Sequence, residues 1–358
     1  MRAPAKVYET VKGLAKALVP LEQPASLSMQ VMGPWLGGIA AFAGSFTMYL
    51  LTLAPSITWS HFGSDSGDLV TAAYTLGIPH PTGYPTYMLL GKAFTFLPFG
   101  EVAFRVNLMS ALFGSLAVAL TYAIALQLLR RLFPSFNTLL AISSSLLAAL
   151  LLAYSPMLWS QAVIAEVYTL NAFFTAAILF LLMHRYRREE GAIRGWRRLW
   201  PLAMVGFLLG LGLGNHLTLV FLLPTVAVLL WIMPLRPGRR ELVIGVLAFL
   251  VGLSVYVYLP IRAHADPVIN WGDPQSWDGF SWSVSAPIYR PFVFGLPLGD
   301  WPDRALDWLT FVLQEQFYTP GSVLAFLGLK TFWGRGPALN AAFVLLFLVS
   351  SLYAIGYK

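Results

Sequence analysis

Apolar runs of bilayer-crossing length recur along most of this sequence, and they decide the class of fold before any motif is considered. A spanning helix needs roughly 20 mostly apolar residues. Inside hydrocarbon only helices and closed barrels satisfy their own backbone polar groups. The runs here are continuous and lack the alternation of a barrel strand, so they predict helices. Spans are expected near 33–55, 104–129, 137–155, 164–183, 200–214, 217–234, 241–260, 321–333 and 337–355. Composition agrees. Only 11% of residues are charged and 58% are hydrophobic, whereas a soluble domain carries about 25% charged residues. The expected fold is an all-α polytopic membrane bundle of these nine spans.

The run 200–234 is too long for one ordinary helix, and Gly214-Asn215-His216 interrupts it. Charge supports a split there. Lys and Arg concentrate in cytoplasmic loops. With the N-terminus inside and 200–234 divided, only Lys92, Arg105, Arg262, Arg290, Arg304 and Lys358 fall outside, and the acids show the opposite bias. One undivided span would move Arg236, Arg239 and Arg240 outward and make the two faces alike. The expected location is therefore the plasma membrane, multi-pass, with a cytoplasmic N-terminus. Residues 1–32 read as a basic amphipathic lead-in that lies on the membrane, not as a signal peptide.

Several chemistries are excluded. The sequence has no Cys, and its five His are scattered, which removes thiolate chemistry and makes a zinc site improbable. No P-loop, dinucleotide fingerprint or Gly-x-Ser-x-Gly elbow occurs. The net charge of +7 is accounted for by basic residues between spans and does not point to nucleic acid.

Two outer segments are long, about 56–103 and about 261–320. The first carries Gly63-Ser64-Asp65-Ser66-Gly67-Asp68 directly after a span. Ionisable groups at such a place mark function by default. A short helix from Leu69 to Leu76 is expected, entered through Asp68, followed by a Pro-rich turn through His80 and Tyr84 and a second interfacial helix from Tyr87 to Phe96. The bland role for either Asp is helix capping, worth about 1 kcal/mol. The functional role is a general base for an acceptor hydroxyl or an oxygen ligand for a divalent cation.

Other candidates lie further along. Glu166 stands near the outer end of a span, where it is either functional or paired with Arg105, and Tyr168 follows it. Asn215 and His216 occupy the turn that divides 200–234. Arg262 emerges at a span end, followed by Asn270, Trp271 and Arg290. Arg262 either snorkels or, with Lys92, Arg105 and Arg290, forms a cationic pocket for a lipid-linked phosphate.

Four motifs together resemble a known family. SGDLVTAAYTLGIPHPTGYPTYMLLGK, WSQAVIAEVYTLNAFF, GLGNHLT and YLPIRA with INWGDP occur in that order between residues 45 and 290. They resemble the membrane family catalogued as domain of unknown function 2723, which includes an animal protein O-mannosyltransferase. The long first outer loop with early acids also looks like the GT-C superfamily of glycosyltransferases. The resemblance implies a GT-C-like bundle that passes a sugar from a polyprenyl phosphate to a protein, lipid or glycan acceptor on the outer face. It implies that Asp65 or Asp68 acts as base or aligns the acceptor. It implies that Arg262 and His216 meet the donor phosphate and that the polyprenol lies against the later helices. Metal dependence is left open by it. Relatives usually continue beyond the equivalent of Tyr357, so residues 33–358 are expected to lack their C-terminal part. Two rival readings remain, a transporter or lipid-binding protein and a non-catalytic assembly subunit.

Overall fold

The computed structural model describes residues 27–186 and 196–358. Most of the expected amphipathic lead-in, and the inner-loop residues Arg187, Arg188 and Arg194, lie outside them. Every regular element among the described residues is a helix, and they include no strand. The one β-type pairing among them is an isolated parallel bridge between Ile78 and Asn270.

Helix α1 (Leu27–Leu51) is followed by a 3-10 turn, Ser60–Asp65, and two short helices, α2 (Ser66–Thr75) and α3 (Pro85–Thr95). Then come α4 (Val102–Leu132), α5 (Thr138–Ala153), α6 (Pro156–Ala162), α7 (Tyr168–Tyr186) and α8 (Trp196–Leu213). A second 3-10 turn, Leu217–Leu222, leads into α9 (Leu223–Ile232), and α10 (Arg239–Leu253) follows. The remainder is α11 (Tyr258–Ala263), α12 (Trp277–Ser285), α13 (Trp301–Thr310), a π-helix (Phe311–Gln316), α14 (Tyr318–Arg335) and α15 (Pro337–Gly356).

Four helices are long and apolar enough to cross a membrane: Met32–Leu51, Val102–Leu132, Arg239–Ala263 and Pro337–Gly356. The chain is thus a multi-pass membrane protein. The expected span at 137–155 is the first arm of a bent pair, α5 and α6, which meet at 66°. Pro156, at the first position of α6, explains the break, since it cannot donate to the preceding turn. The run 200–234 divides where expected. Helix α8 stops at Leu213, and Gly214, Asn215 and His216 separate it from the turn that begins α9.

The first loop departs from expectation in one respect. Helix α2 begins at Ser66, so Asp68 lies inside its first turn and Asp65 occupies the N-cap position. Neither role is capping, because the Asp65 side chain accepts no cap hydrogen bond. The two acids therefore sit one turn apart on the same helical face.

Packing fixes this loop against the bundle. Leu69, Val70, Ala72, Ala73, Ile78, Tyr87 and Met88 are buried in the main core with Leu170, Phe174 and Leu259. Burying one of the larger of these side chains, such as Leu69 or Met88, away from water stabilises by about 1.5–3 kcal/mol. Glycines on α8 allow α10 to approach closely. A Cβ at Gly206 would lie 2.0 Å from the Gly245 carbonyl oxygen, and one at Gly210 would lie 2.3 Å from that of Phe249. Close approach through small residues is how helices gain contact where lipid offers no hydrophobic drive. At the opposite end of the bundle from Gly214, buried Glu241 joins Arg185 at 2.7 Å and Arg198 at 3.0 Å, fastening α7, α8 and α10 together.

Candidate active site

His80 is the residue that organises the acids. The turn after α2 brings it back over the start of that helix. Its backbone N–H and its Nδ1 both donate to Asp68 Oδ2, at 3.0 and 2.7 Å. Its other ring nitrogen, Nε2, lies 3.7 Å from Asp65 Oδ2. A carboxylate oxygen can only accept, so Nδ1 carries a proton. The side chain of Asp68 is 21% exposed and that of Asp65 is 49% exposed. One acid is thus occupied with an imidazole and the other is open to an incoming group.

Aromatic rings extend the cluster. Tyr84 packs edge-on against His80, with ring centroids 5.0 Å apart, and stacks on His216 at 6.2 Å. Tyr168 lies 5.5 Å from His216 on another side. The Tyr84 hydroxyl donates to Pro81 O at 3.2 Å, and burial pushes its ionisation well above the usual tyrosine range.

The broken segment 214–216 is held in register by neighbours. Thr86 donates its backbone N–H to Gly214 O at 3.0 Å and its hydroxyl to Leu211 O at 2.6 Å. Carbonyls freed by the end of α8 therefore find donors on α3. Fully buried Asn215 donates to Val167 O at 3.1 Å. His216 Nδ1 accepts the Thr218 backbone N–H at 3.3 Å and lies 2.7 Å from its hydroxyl. Burial, with nearby His80 adding to it, pushes the His216 imidazole down to about 4. At neutral pH it is uncharged, with its proton on Nε2.

Glu166 is buried in the non-helical connector between α6 and α7. Burial and the charge of Asp65 push its carboxyl up to about 8. The alternative of a salt bridge to Arg105 is overturned. Arg105 instead donates to the carbonyls of Thr95, Phe99 and Gly100 and closes the turn before α4.

Arg262 is likewise engaged elsewhere. Its Nε donates to Leu76 O at 2.7 Å and its Nη2 to Thr75 O at 3.4 Å. It satisfies the C-terminal carbonyls of α2, an arrangement the helix dipole favours. At 1.5 Å of rise per residue, that end lies about 15 Å from Asp65. The expected convergence of acids and Arg262 is therefore not found, while His216 is joined to His80 through the Tyr84 ring between them. Lys92 serves a neighbouring function, donating to Tyr74 O and lying 5.0 Å over the Tyr74 ring. Asn270 donates to Asp273 at 3.0 Å. The backbone around Asn270 and Trp271 pairs with Ile78, which ties the second long segment to the turn carrying His80. Arg290 is exposed, and its side chain makes no hydrogen bond or ion pair among the described residues.

One residue escaped sequence reasoning. Burial and the charges of Asp65, Tyr357 and Asp68 all raise the ionisation of Tyr289, which stands next to Arg290. Aromatic density was its only signal in the sequence.

Among the described residues, no group of three or more His, Asp or Glu is arranged to hold a metal ion. The chemistry of the acids agrees, since Asp68 Oδ2 already accepts two hydrogen bonds.

The fold and site describe a helical multi-pass membrane protein with an acid–histidine–tyrosine cluster at the mouth of its bundle. Residues 65–237 match the family described as Protein O-mannosyl-transferase TMEM260 N-terminal domain. The chain is similar to the mouse protein O-mannosyl-transferase TMEM260, with 34% identity over 260 residues that cover 69% of this chain and 34% of the relative. It is also similar to the Dictyostelium discoideum protein O-mannosyl-transferase tmem260, with 27% identity over 260 residues that cover 68% of this chain and 29% of the relative. The chain spans about a third of the length of the curated relatives it matches. No solved structure matches it.

Proposed function

We propose that this chain is a GT-C-type glycosyltransferase of the protein O-mannosyltransferase kind. In this reading it moves a sugar from a polyprenyl phosphate to a protein hydroxyl at the extracytoplasmic face of the plasma membrane. All nine expected helical segments then cross or enter the bilayer, with the N-terminus in the cytoplasm.

The observation that carries the reading is the division of labour between the acids. Asp65 is the base: it is open, and the acceptor hydroxyl delivers its proton there. The acceptor oxygen attacks the anomeric carbon as the bond from that carbon to the phosphate oxygen breaks. The bonding electrons leave with the lipid phosphate, which departs as a dianion, and attack from the opposite face inverts the configuration. Asp68 orients His80, and His80 holds the wall of the site beside Asp65. Neutral His216 offers an Nε2–H to the phosphate, and Arg290 brings the cation that offsets its growing charge. Fixed donors aimed at developing charge are commonly the largest catalytic contribution.

A second feature supports a lipid-borne donor. An apolar groove of about 650 Å³ runs along α10, α11 and α12. It is lined by Leu250, Leu253, Val257, Trp277, Phe280 and Val284, and Leu213 and Leu217, flanking the His216 segment, also border it. A polyprenyl chain lying there brings its phosphate to His216.

The test is slow hydrolysis. Purified protein in lipid nanodiscs, incubated with radiolabelled polyprenyl phosphate mannose, should release free mannose. Asp65→Asn should abolish the release while the protein stays folded. Release that persists unchanged in Asp65→Asn refutes Asp65 as the base.

A further inference from the structure

A second groove opens beside the start of the 3-10 turn that ends at Asp65, and its chemistry differs. It holds about 610 Å³ between the loop after α1, helix α6 and the π-helix Phe311–Gln316. Its aromatic lining is Tyr154, Trp159, Phe311 and Tyr318, and Thr52, His61, Ser160, Glu315 and Gln316 supply polar groups. A smaller cavity of about 350 Å³, lined by Thr52, His61 and Val163 among others, continues it along residues 52–61.

We infer that this groove receives the acceptor, an extended polypeptide segment bearing the hydroxyl. The inference rests on the transferase reading above and names where its second substrate binds.

Three observations carry it. The first is position. His61 lines the groove and lies on the same 3-10 turn as Asp65, four residues earlier. At a rise of about 2 Å per residue, the groove ends roughly 8 Å from the base, within reach of a bound serine or threonine. The second is lining. An acyl or prenyl chain suits the apolar groove along α10. A peptide needs backbone hydrogen-bond partners among aromatic walls, and this groove has both. Glu315 gives it a negative end that favours a basic residue in the occupant.

The third is preformation. Trp159 Nε1 donates to Thr52 Oγ1 at 2.9 Å. Gln161 Nε2 donates to His61 O at 3.0 Å. Gln316 Oε1 accepts the Met157 backbone N–H at 3.0 Å. The walls are thereby fastened to one another, and a preformed groove loses less ordering entropy on binding. His61 has φ 60, a left-handed conformation costly for a residue with a side chain. Such strain, like a π-helix, tends to cluster at functional sites.

The experiment uses photo-crosslinking in the full chain. p-Benzoylphenylalanine is introduced at Met157, at Tyr318 and, as a control, at Trp277 in the apolar groove. The probe is a synthetic pool of twelve-residue peptides with central Ser or Thr. Peptide adducts at positions 157 and 318 but not 277 are expected, and unlabelled pool should compete them away. Lipid adducts at 157 and 318, no adducts there, or equal labelling at 277 would overturn the inference. In transfer assays Trp159→Ala should raise the peptide KM by about tenfold, equivalent to 1.4 kcal/mol of binding, with kcat nearly unchanged. Hydrolysis of the lipid donor by the unaltered protein without peptide tests the transferase reading by itself. Donor hydrolysis without groove labelling therefore rejects the groove and not the enzyme.

Discussion

Asp68 accepts two hydrogen bonds from His80, one from the backbone N–H at 3.0 Å and one from Nδ1 at 2.7 Å. This pairing separates two acids that sequence spacing leaves equivalent. Asp65 faces the same imidazole only across 3.7 Å and is far more open. If the assignment holds, Asp65→Asn removes the base and lowers transfer by about 10²–10⁴-fold, the range for general base catalysis. Asp68→Asn and His80→Gln should each lower it less. Because they act as one unit, the double variant should be no slower than the worse single one. Additive losses in a double-mutant cycle would show that Asp68 and His80 act independently.

Glu166 supplies a stability prediction. Its carboxyl is raised from 4.5 to about 8 by burial first and by Asp65 second. Below pH 4.5 the group is protonated in both states and adds no pH dependence. Between about 4.5 and 8 the unfolded chain releases the proton and the native chain keeps it. Stability therefore falls as pH rises through that window and levels off above it. At about 1.4 kcal/mol per pH unit, the full change is a few kcal/mol. Tm measured in nanodiscs from pH 5 to 9 should slope downward in the native protein. The slope should flatten in Glu166→Gln. A slope that survives the substitution assigns the dependence to another group.

His216 titrates in the opposite sense. Its folded value of about 4 lies below the ordinary 6.5. The unfolded chain therefore takes up a proton first as pH falls from about 6.5, and stability declines toward pH 4. His216→Phe keeps a ring for Tyr84 to stack upon but removes the Nε2–H. It should abolish that acid-side decline and raise the donor KM several-fold, while slow hydrolysis remains detectable at high donor concentration. An unchanged donor KM would remove His216 from the phosphate site.

Arg262 and Arg290 exchange their expected importance. Arg262 holds the carbonyls of Thr75 and Leu76. Hydrogen bonds from a charged donor contribute about 1.5–3 kcal/mol, so Arg262→Ala should lower Tm clearly. Donor affinity in the folded fraction should stay close to the native value. Arg290→Ala should do the reverse, leaving Tm in place and weakening donor binding, with the deficit growing as salt is lowered. Equal effects on both readouts for both variants would contradict the division.

How far the sequence could reach is clear from these same residues. The break at Gly214–His216, the helical class and the acid-bearing loop follow from local signals: apolar run length, small residues and charge bias. The partner of a charged group is not local. Arg262 stands out by its rarity on one face, yet its acceptors are Thr75 and Leu76, nearly 190 positions earlier in the chain. The start of α2 at Ser66 also escapes propensity, because Gly67 weakens the local helical signal and tertiary burial of Leu69 and Val70 overrides it.

Gly214 links the fold to the site, and it gives a last prediction. Its carbonyl receives the Thr86 N–H at 3.0 Å, which seats the start of α3 and therefore Tyr84 beside His216. A Cβ at position 214 would lie 2.5 Å from Val255 Cγ1 and 2.7 Å from Thr86 Oγ1. Both neighbours sit in packed surroundings, so overpacking of about 1–3 kcal/mol is expected for Gly214→Ala. Helix α3 should move outward, loosening the Tyr84–His216 stack, so Tm and donor affinity should fall together. Gly328, on α14, has nothing within 4 Å of a built Cβ. There alanine meets open space, and its better helix propensity makes Gly328→Ala neutral or stabilising by up to about 1 kcal/mol. If both variants behaved alike, close packing at Gly214 would not be what positions the site.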